Sequence, residues 1–121
     1  MKKFDLEERL INFSVKIIEI TDKMPKTKAG NHLAGQLIRS STSAALNYGE
    51  AQSGESRRDF VHKIKVILKE LRESMISLKI LQKVKLLDDD SDVIRAIQEN
   101  DEVISIFVKS ADTAQKNFDR P

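Results

Sequence analysis

The residues of this chain that could bind a metal are few and widely separated. Asp59 and His62 have the three-residue spacing with which a carboxylate and an imidazole share a metal inside a helical bundle. Such centres need two acid-x-x-His motifs and two further glutamates, whereas the chain has one motif, and its second histidine, His32, lies in another segment. Cysteine is absent, which excludes thiolate sites, disulfides and cysteine nucleophiles. We therefore expect no metal or other cofactor.

A second polar group suits acid–base chemistry or ion pairing. Lys63, Glu70 and Glu73 lie along one flank of a single candidate helix, and two carboxylates three residues apart could exchange protons with a substrate. No nucleophile or metal set accompanies them, and the glycines of segment 49–54 lack the lysine and preceding strand of a phosphate loop. We predict that the protein is not an enzyme. We expect a structural polar cluster between the second and third helices, and a ligand site at the same residues is the alternative. The cluster consists of Arg39, Asn47, Tyr48, Lys63, Glu70 and Glu73.

Six basic residues form the best candidate for a binding surface. Their spacings are sums of three and four, so they fall within about 80° of one helix, opposite its apolar arc. This basic stripe consists of Arg58, Lys65, Lys69, Arg72, Lys79 and Lys83, interrupted by Ile76. Such a surface suits the phosphates of RNA or DNA. Two alternatives stay open: a plain solvated face, and coverage of the stripe by acids of the fourth helix, namely Asp92, Glu99, Asp101 and Glu102.

The composition favours a helical globular protein. The chain has 121 residues, of which 40% are apolar and 33% charged, which suits one folded domain over residues 1–121 and excludes a disordered chain. No apolar run approaches the roughly 20 residues of a membrane span. Four glycines and two prolines are too few for the frequent turns of an all-β domain. The N-terminus has no apolar leader, so we expect a cytoplasmic location.

The net charge of +2 hides an uneven distribution. Residues 1–87 contain 17 Lys and Arg against 10 Asp and Glu, whereas residues 88–121 contain 4 against 9. A basic body with an acidic last segment indicates either an anionic partner or subunits that pair basic faces with acidic ones.

Apolar periodicity and capping signals predict four helices, at about residues 5–23, 31–52, 56–86 and 91–118. The capping signals are Asp5 with Glu8 and Ser56 with Asp59. Short connections between them favour an all-α fold, an up-down-up-down antiparallel four-helix bundle. The first helix carries two apolar stripes. One runs from Leu6 to Met24, and the other, on nearly the opposite side, consists of Ile11, Val15 and Ile18. A helix with two apolar sides faces its own core with one and a partner chain with the other, so we expect self-association.

The chain resembles a known family over nearly its whole length, in the order of its helices. The densest stretch runs from Gln36 to Leu81 and includes the segments QLIRSSTSAALNYGEA, ESRRDFVHK and LKELRES. These segments are similar to the four-helix-bundle family of the protein encoded by intervening sequences in bacterial 23S ribosomal RNA genes. The accessory protein of diversity-generating retroelements is a more distant relative. Arg39-Ser40, Asn47-Tyr48 and the Ser56, Asp59, Phe60 start of the third helix match the family pattern.

The resemblance implies a bundle that assembles into a homopentamer and has no established catalytic activity. The retroelement relative binds nucleic acid and a reverse transcriptase. The resemblance therefore makes RNA or DNA and a protein partner candidate partners, beside further copies of the chain. We expect no membrane partner, since no apolar run is long enough to span a bilayer. A structural or protein-binding scaffold without affinity for nucleic acid is the alternative, and a metal-dependent enzyme is a second one.

Overall fold

The computed structural model describes residues 5–53 and 56–119, and these residues form four α-helices without a strand. The helices are α1 (Leu6–Asp22), α2 (Lys28–Gln52), α3 (Arg57–Val84) and α4 (Ser91–Asp119). Each helix packs against the next one along the chain, and α4 closes the bundle against α1. The prediction of an all-α, up-down-up-down four-helix bundle is confirmed. Within the described ranges, no helix combines the length and apolar character needed to cross a bilayer.

Side-chain caps determine where the first three helices begin. The carboxylate of Asp5 accepts a hydrogen bond from the Glu8 amide at 3.1 Å, and the hydroxyl of Ser56 accepts one from the Asp59 amide at 3.1 Å. Each cap satisfies an amide that has no partner inside its own helix. The sequence identifies both residues as caps from their types and spacing.

The start of α2 differs from the prediction. It begins at Lys28, three residues before the expected Asn31, because the Thr27 hydroxyl accepts the Gly30 amide at 3.0 Å and caps the helix there. Gly30 therefore lies inside the first turn, where a β-carbon would be 2.1 Å from the Pro25 carbonyl oxygen. Glycine is required for this close approach and does not mark a loop.

The end of α3 also differs by two residues. The helix ends at Val84 because Lys85 has a positive φ of 54°, the left-handed conformation that terminates helices.

The core lies on the inner faces of all four helices. The largest apolar side chains with less than 2% exposure form its centre, namely Leu10, Ile17, Ile20, Leu37, Ile64, Ile67, Leu71, Leu78, Leu81, Val93, Val103 and Phe107. The first apolar stripe of α1 belongs to this core. The second stripe does not, because Ile11, Val15 and Ile18 remain between 41% and 48% exposed.

Small residues let α2 approach both of its neighbours closely. The hydroxyls of Ser40 and Ser74 are 2.6 Å apart between α2 and α3, and the Ser14 hydroxyl of α1 donates to the Ser41 carbonyl at 3.0 Å. All four serines are buried. The small side chains in the middle of α2 therefore serve packing within the chain.

One buried polar side chain gives a stability prediction. Asn100 of α4 is fully buried, and neither atom of its amide has a hydrogen-bond partner among the described residues. A buried polar group without a partner costs about 1–3 kcal/mol. Leucine keeps the branched shape, so we expect Asn100→Leu to raise the free energy of unfolding by about 1–2 kcal/mol in urea denaturation. Asn100→Asp, which buries a charge, should lower it. Destabilisation by leucine would contradict the assignment.

Candidate nucleic-acid interface

The basic stripe is exposed along the outer face of α3. All six of its side chains are exposed. They extend over about 38 Å of helix at 1.5 Å per residue. Within the described residues, its single ion pair joins Lys69 to Glu73 at 3.8 Å, one turn along the same helix. The interrupting Ile76 is 60% exposed. The stripe is therefore an accessible, elongated cationic surface.

Acidic side chains of α4 pair with α1 and not with the stripe. The Arg9 guanidinium donates to Glu99 at 2.6 and 2.8 Å and to Glu102 at 2.8 Å. These carboxylates raise the pKa of Arg9. The main cause is the hydrogen bond that Arg9 donates to Glu99, and partial burial opposes it. Three of the four acids considered as covers for the stripe are thus engaged elsewhere, since Asp92 also pairs with α1.

Asp92 joins the start of α4 to the end of α1. Its carboxylate accepts a hydrogen bond from the Lys23 ammonium at 3.2 Å and another from Arg95. These two bonds, the one from Lys23 first, lower the pKa of Asp92 below its usual value. Asp101, the fourth acid, is exposed.

The predicted polar cluster has its centre at a buried carboxylate. Glu70 of α3 is 7% exposed and accepts a hydrogen bond from Arg39 at 3.3 Å and one from the Ser43 hydroxyl at 3.2 Å. Arg39 also donates to Glu73 at 2.6 Å, and this bond is the main cause of its raised pKa. One cation of α2 thus holds two carboxylates of α3.

Lys63 and Asn47 extend the same network toward the C-terminal end of α2. The Lys63 ammonium lies 2.5 Å from Glu50 and 3.4 Å from the Asn47 side-chain oxygen. The Asn47 amide donates to the Ser43 carbonyl at 2.9 Å, and Ser43 leads to Glu70. The sequence interpretation omits Ser43 and Glu50. Their spacing with Asn47, four residues and then three, places all three on one side of α2 and is the signal that could have found them.

Tyr48 lies outside this network, contrary to the expected cluster. Its ring packs edge-on against Phe107 of α4, with the ring centroids 5.5 Å apart and the planes at 78°. Burial is the main cause of its raised pKa, followed by the charges of Asp5 and Glu7. One residue is a rotation of about 100° on a helix, so Tyr48 faces the core while Asn47 faces α3.

The residues considered as metal ligands lie on the surface of the bundle. Asp59, His62 and His32 are all exposed. In the part of the chain that the structure describes, no three side chains of His, Cys, Asp or Glu come together as a metal ion would require.

A family model matches most of the chain, including both polar surfaces described above. The model of the 23S rRNA-intervening sequence protein matches residues 2–109. The chain belongs to this family. The match includes every residue of the basic stripe and of the polar network, as the resemblance read from the sequence implied.

A solved structure is similar to the whole bundle. It is described as a protein with unknown function from the S23 ribosomal protein family of Bacteroides thetaiotaomicron VPI-5482. The similarity covers 88% of this chain and 98% of that chain, with a TM-score of 0.80 and 21% sequence identity. At this identity the similarity shows the fold. No curated protein matches the chain.

Proposed function

We propose that this member of the 23S rRNA-intervening sequence protein family is a non-enzymatic, self-associating bundle that binds RNA or DNA through the basic stripe. The observation that supports the proposal is the stripe itself: six exposed cations on one helix face, with a single ion pair among the described residues. Phosphates that approach the stripe would release counterions, which is the main source of non-specific affinity for nucleic acid.

The chemistry of the stripe favours contact with the phosphate backbone over contact with bases. It contains no aromatic residue on which a base could stack. Lysine and arginine side chains on a straight helix form a row of point charges, which suits a chain of phosphates of any sequence. We therefore expect little discrimination between sequences.

Self-association is supported by the second apolar stripe of α1. Isolated exposed apolar side chains are common on soluble proteins, but Ile11, Val15 and Ile18 form one row on one helix. A homopentamer is the form that the family resemblance implies, and repetition of the basic stripe around such an assembly would raise its local potential. A scaffold that assembles without binding nucleic acid is the second candidate function, and the same apolar row favours it.

The proposed binding predicts a steep dependence on salt. If all six cations contact a single-stranded RNA, the logarithm of the affinity should fall with the logarithm of salt concentration with a slope of about −4. That slope corresponds to a loss of roughly 300-fold between 50 and 200 mM salt. Fluorescence anisotropy with a labelled mixed-sequence RNA measures it, with an uncharged-backbone analogue of the same sequence as the control. Absence of binding at 50 mM, or binding that salt leaves unchanged, would favour the scaffold.

A further inference from the structure

An apolar groove lies between the first half of α2 and the second half of α3. It has a volume of about 770 Å³, and its apolar lining includes Leu33, Ile76, Ile80, Val84 and Leu86. The three α3 side chains on its outer wall, Ile76, Ile80 and Val84, are between 44% and 60% exposed. They recur every four residues and so form one row along the helix.

Basic residues border this groove. Lys79 and Lys83, the last two members of the basic stripe, lie beside Ile76 and Ile80 on the outer face of α3 and are exposed. In the described residues neither forms an ion pair within the chain. Arg39 and Glu73 also line the groove, but they pair with each other at 2.6 Å. The two lysines therefore supply the charge beside the groove that is unpaired among the described residues. An occupant with an apolar row and acidic flanks would therefore match the groove in both shape and charge.

The exposed stripe of α1 has these properties. Ile11, Val15 and Ile18 are spaced by four and three residues, the pattern of a helix that packs lengthwise against another. Glu8 and Asp22 are exposed on the same outer face, one turn before and one turn after the row. The row covers about 10 Å of helix, close to the 12 Å between Ile76 and Val84.

We propose that α1 of one copy docks in the α2–α3 groove of the next copy, so that the protein associates head to tail. The inference rests on the self-association proposed above and identifies its two faces. Pairing of two α1 stripes across a two-fold axis would bring acidic flanks together, and pairing of two grooves would bring lysines together. Docking of stripe on groove instead brings acids to lysines. A contact between unlike faces closes into a ring when its rotation permits.

The proposed contact divides the basic stripe. Lys79 and Lys83 lie at the edge of the docked helix and face its acids. Arg58, Lys65 and Lys69 lie about two turns or more before Ile76, where the row begins, and Arg72 lies about one turn before it. All four are therefore outside the docked row and stay open to phosphates. Assembly and nucleic-acid binding would thus use different ends of one helix.

The test uses the absence of natural cysteines. Val15→Cys and Ile80→Cys chains carrying different tags are co-expressed, purified and treated with a short bismaleimide, because packed helix axes lie about 8–10 Å apart. We expect a covalent dimer that contains both tags, and none from either variant alone. The control mixes Leu46→Cys, at an exposed apolar position of α2, with Ile80→Cys. This pair should give no covalent dimer.

Assembly itself is measured in parallel. Ile80→Glu, which places a charge beside the acids of α1, should reduce the mass in light scattering toward that of the 13.8 kDa chain, whereas Leu46→Glu should leave it unchanged. Covalent dimers from a single cysteine variant, or intact multimers whose mixed variants do not cross-link, would overturn the head-to-tail contact alone. A monomeric wild-type protein would overturn it together with the proposed self-association.

Discussion

Replacement of Lys65 and Arg72 by glutamate is expected to reduce the affinity for mixed-sequence RNA by about 50-fold or more at 50 mM salt. Both residues are exposed on α3, before the row from Ile76 to Val84 that the proposed subunit contact covers. Neither forms an ion pair among the described residues. The loss reflects two phosphate contacts that no longer release counterions, and the new carboxylates add repulsion. The salt slope should become shallower by about 1 to 2.

The matched control changes the same net charge elsewhere. Lys26→Glu/Lys28→Glu alters two exposed lysines, one just before α2 and one at its first residue, and neither belongs to the basic stripe. If binding depends on the stripe, this control should retain most of the affinity. Equal losses in the two double variants would mean that only net charge matters. Light scattering of both variants shows whether assembly is intact.

Truncation of Phe107 is expected to have the largest effect on stability. Phe107 is fully buried in α4, and Tyr48 of α2 packs edge-on against its ring. Phe107→Ala removes this contact and leaves a cavity, and we expect it to lower the free energy of unfolding by about 3–5 kcal/mol. Urea denaturation followed by circular dichroism measures the loss. The protein concentration is held fixed because the proposed self-association would contribute to the apparent stability.

Two milder variants test the reason for that loss. Phe107→Leu keeps an apolar side chain at the centre of the core and should cost much less than alanine. Tyr48→Phe keeps the ring pair and removes a half-buried hydroxyl, for which we expect a loss of about 1 kcal/mol or less. A loss below about 1 kcal/mol for Phe107→Ala would contradict close packing at this position.

The capping residues show how far local rules extend. Asp5 and Ser56 are predicted from residue type and from an acidic residue three positions later, and both cap their helices in the structure. Thr27 is missed because the nearby Pro25 and Gly30 indicate a loop. Gly30 is instead needed because the chain folds back so that the Pro25 carbonyl lies against the helix. A glycine in a loop and a glycine required inside the first turn of a helix look the same in the local sequence.

Contacts between helices account for the remaining differences. The acids of α4 are equally available, in the sequence, to the basic stripe or to another helix. They pair with Arg9 and Lys23 because α4 packs against α1, and the order of helices around the bundle determines that neighbour. The position of Tyr48 also depends on helix packing, since its sequence neighbours Asn47 and Gly49 do not indicate that its ring faces Phe107.

Sequence patterns alone are enough to predict the four helices, the inner face of each one, the double apolar character of α1 and the row of cations on α3. These features follow from the 3.6-residue period and from capping chemistry, both of which act within a single helix. Other features become visible only when the helices pack together. Glu70 is buried between Arg39 and Ser43, Asn100 lies in the core without a hydrogen-bond partner among the described residues, and an apolar groove remains between α2 and α3. Each of these depends on the side chains that a second helix brings into contact, which no periodicity within one helix specifies.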